Sequence, residues 1–180
     1  MPVVRGKFVR VIFDEATIAE RNRQLAEDIA AAGYENLLVV MILKGSFVFA
    51  ADLIRALHLS GLEPDVECMS LSSYGAGEVS SGEVKVLRDI EEDVNGRDVL
   101  LVDDILESGR TLAYAQKLME ERGARRVDGA VLLEKPSRRI NNFEAKFTGF
   151  ECPDVFVVGY GMDSGHAFRE LPFVGVIEGA

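Results

Sequence analysis

The chain has 180 residues, of which 48% are apolar, and a formal net charge of −10. This length suits a sizeable core, and we predict a single domain over residues 1–180. The acidic balance argues against a nucleic-acid or anionic-membrane partner, because both require a stripe of basic residues. The longest apolar run is too short to span a bilayer and the N-terminus lacks a signal-peptide core, so we expect a soluble, cytoplasmic protein.

Side chains that could be reactive or bind a metal are sparse. Cys68 and Cys152 lie far apart and form no C-x-x-C pair, so we expect two free, buried thiols. His58 and His166 lack the spacing of metal ligands, and we assign neither of them a function.

The first predicted elements are an extended segment and a helix. Residues 7–13 are typical of a short strand. Asp14 or Thr17 can cap the helix that follows, in which apolar residues recur at helical spacing over 18–32. Gly33 is expected to end this helix.

The next pair of elements encloses a short turn. Residues 37–43 are a continuous apolar run that predicts a buried strand, and a helix is expected over about 47–57. The turn between them is Lys44-Gly45-Ser46. Considered alone, Lys44 is interpreted as a surface lysine in a tight turn.

A segment dense in Gly and Ser separates two further strands. Residues 65–71 alternate as a strand does, and residues 84–87 return as its neighbour. The segment between them, 72–82, is either a floppy hairpin loop or a functional lid. Asn95-Gly96 predicts a turn into the next strand.

The central strand is predicted from the apolar run 99–102, which is typical of a strand buried on both faces of a parallel sheet. Asp103 and Asp104 follow where this strand is expected to end. A helical pattern starts at about Thr111, after a short Ser/Gly turn.

That turn predicts an anion-binding site, because free backbone N–H groups and the helix dipole point into it. Gly109 allows close backbone approach, and Ser108 and Thr111 offer hydroxyl donors. Carboxylates repel phosphate, so Asp103 and Asp104 beside it indicate a ligand that also carries hydroxyls or a metal, as a ribose 5-phosphate does. The alternative is a polar turn between a buried strand and a helix, with the Asp pair as simple caps.

The C-terminal third contains three more predicted strands: residues 127–133, 155–163 and 173–177. Lys135 follows the first of them, at the strand edge where ligands bind in α/β sheets, although the position also suits a surface lysine. Residues 138–153 are expected to be irregular.

Strands that alternate with helices predict an α/β fold with a mostly parallel sheet flanked by helices and right-handed crossovers. Residues of about 1–13 and 150–173 are expected to form a smaller hood. The last strand, 173–177, is expected to return from this hood to the body of the domain.

Residues 99–112 resemble the phosphoribosyl diphosphate (PRPP) binding motif of the type I phosphoribosyltransferases. The segments around Lys44, Lys135 and Phe156 resemble the hypoxanthine/guanine branch of that family, and the resemblance covers nearly the whole chain. It implies the type I phosphoribosyltransferase fold, small-molecule substrates and a homo-oligomer, either a dimer or a tetramer.

The resemblance also implies a role for each matching residue in binding PRPP. The ribose and its 5-phosphate would be bound by Asp103, Asp104, Glu107, Ser108, Gly109, Arg110 and Thr111. The pyrophosphate would be bound by Lys44, Gly45 and Arg169. A cis peptide is expected between Leu43 and Lys44, and Ser73-Tyr74 would belong to a lid loop that closes over the site.

At the base end of the site, the resemblance implies that Lys135 donates to the 6-oxo group of a purine, which favours hypoxanthine or guanine over adenine. Phe156 would stack on the base, although an aromatic residue on an apolar strand is more often part of the core. The backbone of Val157 would bind the edge of the base. Asp163 would lie near the base and, like Asp103, near Mg²⁺.

The implied reaction transfers phosphoribose from PRPP to a 6-oxopurine in purine salvage, with Mg²⁺ as cofactor. The family usually has Asp at the position of the catalytic base, whereas this chain has Glu107, and we expect Glu107 to fill that role. The alternatives are a regulator of the same fold that binds a nucleotide without catalysis, and a transferase that prefers xanthine/guanine, adenine or a pyrimidine.

Overall fold

The computed structural model describes residues 1–73 and 84–179 of the chain. Within these residues the strands are β1 (Val3–Val4), β2 (Lys7–Phe13), β3 (Leu38–Leu43), β4 (Asp65–Ser73), β5 (Val84–Arg88), β6 (Asp98–Leu106), β7 (Arg126–Glu134), β8 (Phe147–Glu151) and β9 (Val174–Ile177). The helices are α1 (Glu15–Ala31), α2 (Phe47–Leu59) and α3 (Arg110–Glu121), with a 3₁₀ turn at Pro136–Arg138.

The main sheet has six strands in the order β5-β4-β3-β6-β7-β8. Its strands pair in parallel from β4 to β8, and β5 alone of the six is antiparallel, as the partner of β4. The predicted α/β fold with a mostly parallel sheet flanked by helices is therefore confirmed. The carboxyl ends of parallel strands lie at the same edge of a sheet. The segments that follow β3, β6 and β7 therefore lie close together at that edge.

Strand β6 is buried on both faces. Its residues Leu100 and Val102 belong to the apolar cluster that includes α1 and α2, whereas Val99 and Leu101 belong to the cluster that includes α3. All four side chains are fully buried. The continuous apolar run of the sequence is thus explained by helices on both sides of the sheet.

A second, three-stranded antiparallel sheet is formed by β1, β2 and β9. Strand β9 pairs with β2 and not with the main sheet, so the expectation that residues 173–177 return to the body of the domain is wrong. Residues 155–173 lead into this small sheet, and a bridge between Val158 and Gly175 attaches them to it.

Two predictions for the C-terminal third are corrected. Residues 138–153 are not irregular throughout, because β8 lies among them and adds a parallel edge strand beside β7. Residues 155–163 form isolated bridges and turns in place of a strand. The reason is a run of positive φ angles at Gly159 (95°), Tyr160 (50°) and Gly161 (100°), which is incompatible with extended backbone.

Other boundaries agree closely with the sequence. Asp14, of the two candidates, caps α1, and its carboxylate accepts a hydrogen bond of 2.8 Å from the Thr17 backbone N–H. Strand β6 continues to Leu106, so Asp103 and Asp104 lie within the strand, near its end, and not after it. Cys152 is a buried free thiol as expected, whereas Cys68 is only half-buried. Among the described helices, none is both long and apolar enough to cross a membrane.

Candidate active site

Two cavities adjoin at the carboxyl end of the main sheet. The first, of about 300 Å³, is lined by the end of β6 and the start of α3. The second, of about 410 Å³, is lined by segments that follow β3 and β7 and by residues 156–169. Asp104, Ile105 and Glu107 line both cavities. Most of the predicted site residues are therefore divided between two neighbouring cavities that share one wall.

The first cavity contains the predicted phosphate loop, and Ser108, Gly109 and Thr111 line it. Gly109 has φ of 80° and precedes α3, and a Cβ there would overlap the side-chain oxygen of Asn141. Glycine is thus required by both conformation and space. The loop and the first turn of α3 present backbone N–H groups to an anion. Arg110 is exposed and lines neither cavity, unlike its neighbours in the motif.

Of the two aspartates of β6, Asp104 belongs to the wall shared by the cavities, and Asp103 lines the first cavity alone. Asp103 is buried, and its carboxylate accepts a hydrogen bond of 2.9 Å from the Asp104 backbone N–H. Burial raises the pKa of Asp103 well above its usual range, and the neighbouring Asp104 carboxylate raises it further. Burial also raises the pKa of Asp104, against the opposing effect of hydrogen bonds and of the Arg169 charge. A ligand with hydroxyl donors or a cation would compensate this costly pair of carboxylates.

The loop after β3 packs directly against the Asp pair. The peptide between Leu43 and Lys44 is cis, as the resemblance implied. A Cβ at Gly45 would overlap the Asp104 carboxylate, and a Cβ at Gly161 would overlap the Gly45 carbonyl oxygen. The backbone at Gly45 therefore approaches the Asp104 side chain, and the backbone at Gly161 approaches that at Gly45, at distances that only glycine permits. The Lys44 side chain is exposed at the edge of the second cavity.

Arg169 also lines the second cavity. Its guanidinium donates to the Gly161 carbonyl at 2.6 Å and pairs with the Asp163 carboxylate at 2.8 Å. The other Asp163 oxygen accepts a hydrogen bond of 2.7 Å from the His166 backbone N–H. These contacts orient a cation toward the same space that Gly45 and Asp104 line.

At the far end of the second cavity, the Lys135 ammonium lies 2.6 Å from the Glu107 carboxylate. The Lys135 side chain is only 5% exposed, so its interpretation as a surface lysine is wrong. Phe156 is 64% exposed, so the alternative that it belongs to the core is also wrong. Val157 is buried beside it and lines the same cavity.

Sequence reasoning missed part of this cavity's wall. Ser70 and Leu71 of β4, Leu87 of β5 and Met162 also line it. Their sequence pattern is that of ordinary strand residues. The position of Ser70 at the cavity follows only from the pairing of β3 with β4, which places Ser70 beside Leu43. Of the predicted lid, Ser73 is the last residue of β4, and Tyr74 lies outside the described residues.

The arrangement of the carboxylates bears on whether the site can hold a metal ion. Across residues 1–73 and 84–179, no three His, Cys, Asp or Glu side chains cluster closely enough to hold a metal ion by themselves. Mg²⁺ is usually bound by one or two carboxylates together with substrate phosphates. Asp103 lines the first cavity and Asp163 the second, so each could contribute one carboxylate to Mg²⁺ that arrives with a phosphorylated ligand, whereas the described residues form no all-protein metal cage.

The fold and the site together define a class of protein. It is an α/β protein whose mostly parallel sheet carries the predicted phosphate loop and an acidic pair at the carboxyl end of a central strand. Residues 11–165 match the phosphoribosyl transferase domain family. Because this match covers most of the chain, the chain belongs to the phosphoribosyltransferase family.

Similar proteins narrow the position within the family. The hypoxanthine-guanine phosphoribosyltransferase of Dictyostelium discoideum is 41% identical over 172 residues, covering 93% of this chain and 94% of that protein. The hypoxanthine phosphoribosyltransferase of Escherichia coli K12 is 42% identical over 163 residues, covering 91% and 89%. A structure of a hypoxanthine phosphoribosyltransferase from Staphylococcus aureus has a TM-score of 0.89 at 34% identity, covering 99% of this chain and 98% of that one. The predicted branch of the family and the prediction of a transferase enzyme are confirmed at this level.

Proposed function

We propose that the chain transfers the 5-phosphoribosyl group of PRPP to hypoxanthine, and to guanine, giving IMP or GMP and pyrophosphate in purine salvage. The observation that carries the proposal is that Asp104 and Glu107 line both cavities. A sugar phosphate in the first cavity and a planar base in the second would meet at this shared wall. That meeting point is where a bond between ribose and base must form.

The base is proposed to lie in the second cavity against the exposed ring of Phe156. Lys135 would donate to the 6-oxo group, in the position where it now donates to Glu107. Adenine would present its 6-amino group to the Lys135 ammonium. Both groups are hydrogen-bond donors, so neither would find an acceptor in the other. The Val157 backbone would bind the edge of the base.

The transition state should resemble an oxocarbenium ion, positive at the anomeric carbon. Asp103 and Asp104 would accept hydrogen bonds from the ribose hydroxyls and favour the positive sugar. The phosphate loop, including Ser108, Gly109 and Thr111, would hold the 5-phosphate. Glu107 would accept or share the proton on N7 of the base, which is general-base catalysis by a positioned carboxylate.

Negative charge develops on the leaving pyrophosphate. The pyrophosphate is proposed to lie in the part of the second cavity that is lined by Lys44, the backbone of Gly45 and Arg169. Asp103 and Asp163 would hold Mg²⁺, which, when bound with PRPP, neutralises charge on the pyrophosphate. The contacts of Arg169 with Asp163 and with the Gly161 carbonyl fix the position of its guanidinium, which supports this role.

The test is a spectrophotometric assay with PRPP, Mg²⁺ and each of hypoxanthine, guanine, xanthine and adenine. Turnover of hypoxanthine and guanine without turnover of adenine is the expected result. Turnover of xanthine or adenine in preference to hypoxanthine would overturn the substrate assignment. Binding of PRPP or of a nucleotide without turnover of any base would overturn catalysis and favour a regulator of the same fold.

A further inference from the structure

A short segment braces the phosphate loop from behind. It consists of residues 139–143, which follow the 3₁₀ turn after β7, and we call it the brace segment. Its Ile140 backbone N–H donates to the Ser108 carbonyl at 3.2 Å. Its Asn141 side chain lies so close to Gly109 that a Cβ there would overlap it. The phosphate loop is therefore in contact with a segment that lies outside residues 99–112, which resemble the PRPP-binding motif.

Arg139 connects the brace segment both to the phosphate loop and to the end of β7. Its side chain is only 15% exposed and is bound on three sides. The Nε group donates to the Glu107 carbonyl at 3.3 Å, and Nη2 donates to the Glu134 carboxylate at 2.7 Å. Nη1 donates to the Phe143 carbonyl. A planar guanidinium can serve acceptors in three directions at once, which a lysine ammonium on a flexible stem does poorly.

These contacts connect the supports of two residues in the proposed active site. Arg139 binds the backbone carbonyl of Glu107, the residue whose side-chain carboxylate is proposed to act on the base. Glu134 is the last residue of β7 and directly precedes Lys135. The Glu134 carboxylate is itself oriented by the Thr148 hydroxyl, which donates to it at 3.1 Å. One half-buried cation thus links the phosphate loop to the end of β7, and Glu107 of that loop forms an ion pair with Lys135, the residue after β7.

We propose that Arg139 is a positioning residue for the transfer reaction. It touches neither cavity surface assigned to substrate, and it acts by holding the Glu107 backbone at a set distance from the end of β7. This keeps the loop amides aimed at the 5-phosphate and the Glu107 carboxylate within reach of the base. The inference rests on the proposed function of the same site.

The experiment compares Arg139→Met with Arg138→Met. Arg138 is the matched control, because it is adjacent, 58% exposed and paired with Asp154 at 2.7 Å on the surface. We measure kcat, the KM values for PRPP and hypoxanthine, and the affinity for ribose 5-phosphate by calorimetry. Arg139→Met should raise the KM for PRPP and the Kd for ribose 5-phosphate roughly tenfold and lower kcat, within the ~100-fold that a 1 Å misplacement can cost. Arg138→Met should change each of them less than about twofold, as surface substitutions do.

Two further variants separate positioning from folding. Arg139→Lys keeps the charge beside Glu134 but loses the planar fork, so it should rescue part of the PRPP affinity. Glu134→Gln keeps an acceptor for Arg139 and should weaken ribose 5-phosphate binding in the same direction by a smaller factor. If Arg139→Met does not fold, these two variants test the proposal by the same measurements.

The proposal is overturned if the Arg139 variants lower the melting temperature while the KM for PRPP, the Kd for ribose 5-phosphate and kcat stay within twofold of wild type. It is also overturned if Arg138→Met has the same effects. If the wild type binds ribose 5-phosphate but turns over no base, the proposed function fails. Selective loss of ribose 5-phosphate affinity in Arg139→Met would then still support the positioning of the loop.

Discussion

The Glu107 carboxylate lies 2.6 Å from the Lys135 ammonium, and this ion pair joins the phosphate loop to the base end of the site. Lys135 is almost fully buried, so its charge requires a partner. Glu107 is 46% exposed and provides that partner from the loop that follows β6. A base that brings a 6-oxo acceptor to Lys135 would take over this contact and leave Glu107 to the proton on N7.

The role of Glu107 as general base is tested by Glu107→Gln. Loss of the carboxylate should lower kcat by about 10²–10⁴-fold, the usual contribution of a positioned acid or base. Glu107→Asp is the matched control, because it keeps the carboxylate that most of the family has here, and it should stay much closer to wild type. Initial rates with PRPP and hypoxanthine measure both. Unchanged turnover in Glu107→Gln would show that Glu107 is not the base.

Base selectivity is tested by Lys135→Met. Removal of the donor to the 6-oxo group should lower kcat/KM for hypoxanthine by roughly 10- to 100-fold, since a hydrogen bond from a charged donor contributes about 1.5–3 kcal/mol. The ratio of hypoxanthine to adenine activity should fall with it. Lys117→Met, at an exposed lysine of α3, serves as control and should leave both values near wild type. A fall in activity with an unchanged ratio would contradict the assignment of Lys135 to the 6-oxo group.

The contact between Gly45 and Asp104 is tested by Gly45→Ala. The added methyl group would overlap the Asp104 carboxylate and displace it from the wall shared by the cavities. We expect the KM for PRPP to rise by at least tenfold, because a shift of about 1 Å in such a group can cost ~100-fold. Gly61→Ala is the control for backbone strain outside both cavities, because nothing lies within 4 Å of its added Cβ but alanine is strained at its φ of 86°. Equal kinetics in the two variants would show that the close approach has no role in binding.

Acid stability is expected to depend on Asp98, at the opposite end of β6 from the site. The Arg125 guanidinium bonds both its oxygens, at 2.8 and 2.6 Å, and holds the pKa of Asp98 below its usual range, against the effect of burial. A carboxyl whose pKa is lowered on folding stabilises the fold above its unfolded pKa of about 3.9, and loses that contribution as pH falls through the folded value. Asp98→Asn should therefore be less stable than wild type by about 1–3 kcal/mol at pH 7.

Thermal unfolding of both proteins from pH 7 to pH 2 measures this prediction. The difference in melting temperature should shrink as the pH falls below about 4, because wild-type Asp98 then takes up its proton. Asp154→Asn, at a 43% exposed carboxylate, is the control and should shift stability by less than about 0.5 kcal/mol. A difference between Asp98→Asn and wild type that stays constant down to pH 2 would contradict the lowered pKa.

Much of the order of strands and helices was predictable because its signals are local. The apolar runs of β3, β6 and β7 reflect burial on both faces, and the Ser108-Gly109 turn before α3 is typical of an anion-binding loop. The resemblance to the phosphoribosyltransferases was also carried by such short segments. Strand β8 and the course of residues 155–163 were not predictable, because β8 depends on an edge beside β7, and residues 155–163 depend on positive φ angles.

The amino-acid sequence by itself determined the class of fold, the phosphate loop and the family, since each is encoded in contiguous residues. The tertiary structure alone decided which side chains meet. Glu107 and Lys135 are 28 residues apart, and they form an ion pair because β6 and β7 lie in register, with Leu106 opposite Glu134. Arg139 binds the Glu107 carbonyl for the same reason. Strand register arises from packing over the whole sheet, so contacts across it cannot be inferred from local sequence patterns.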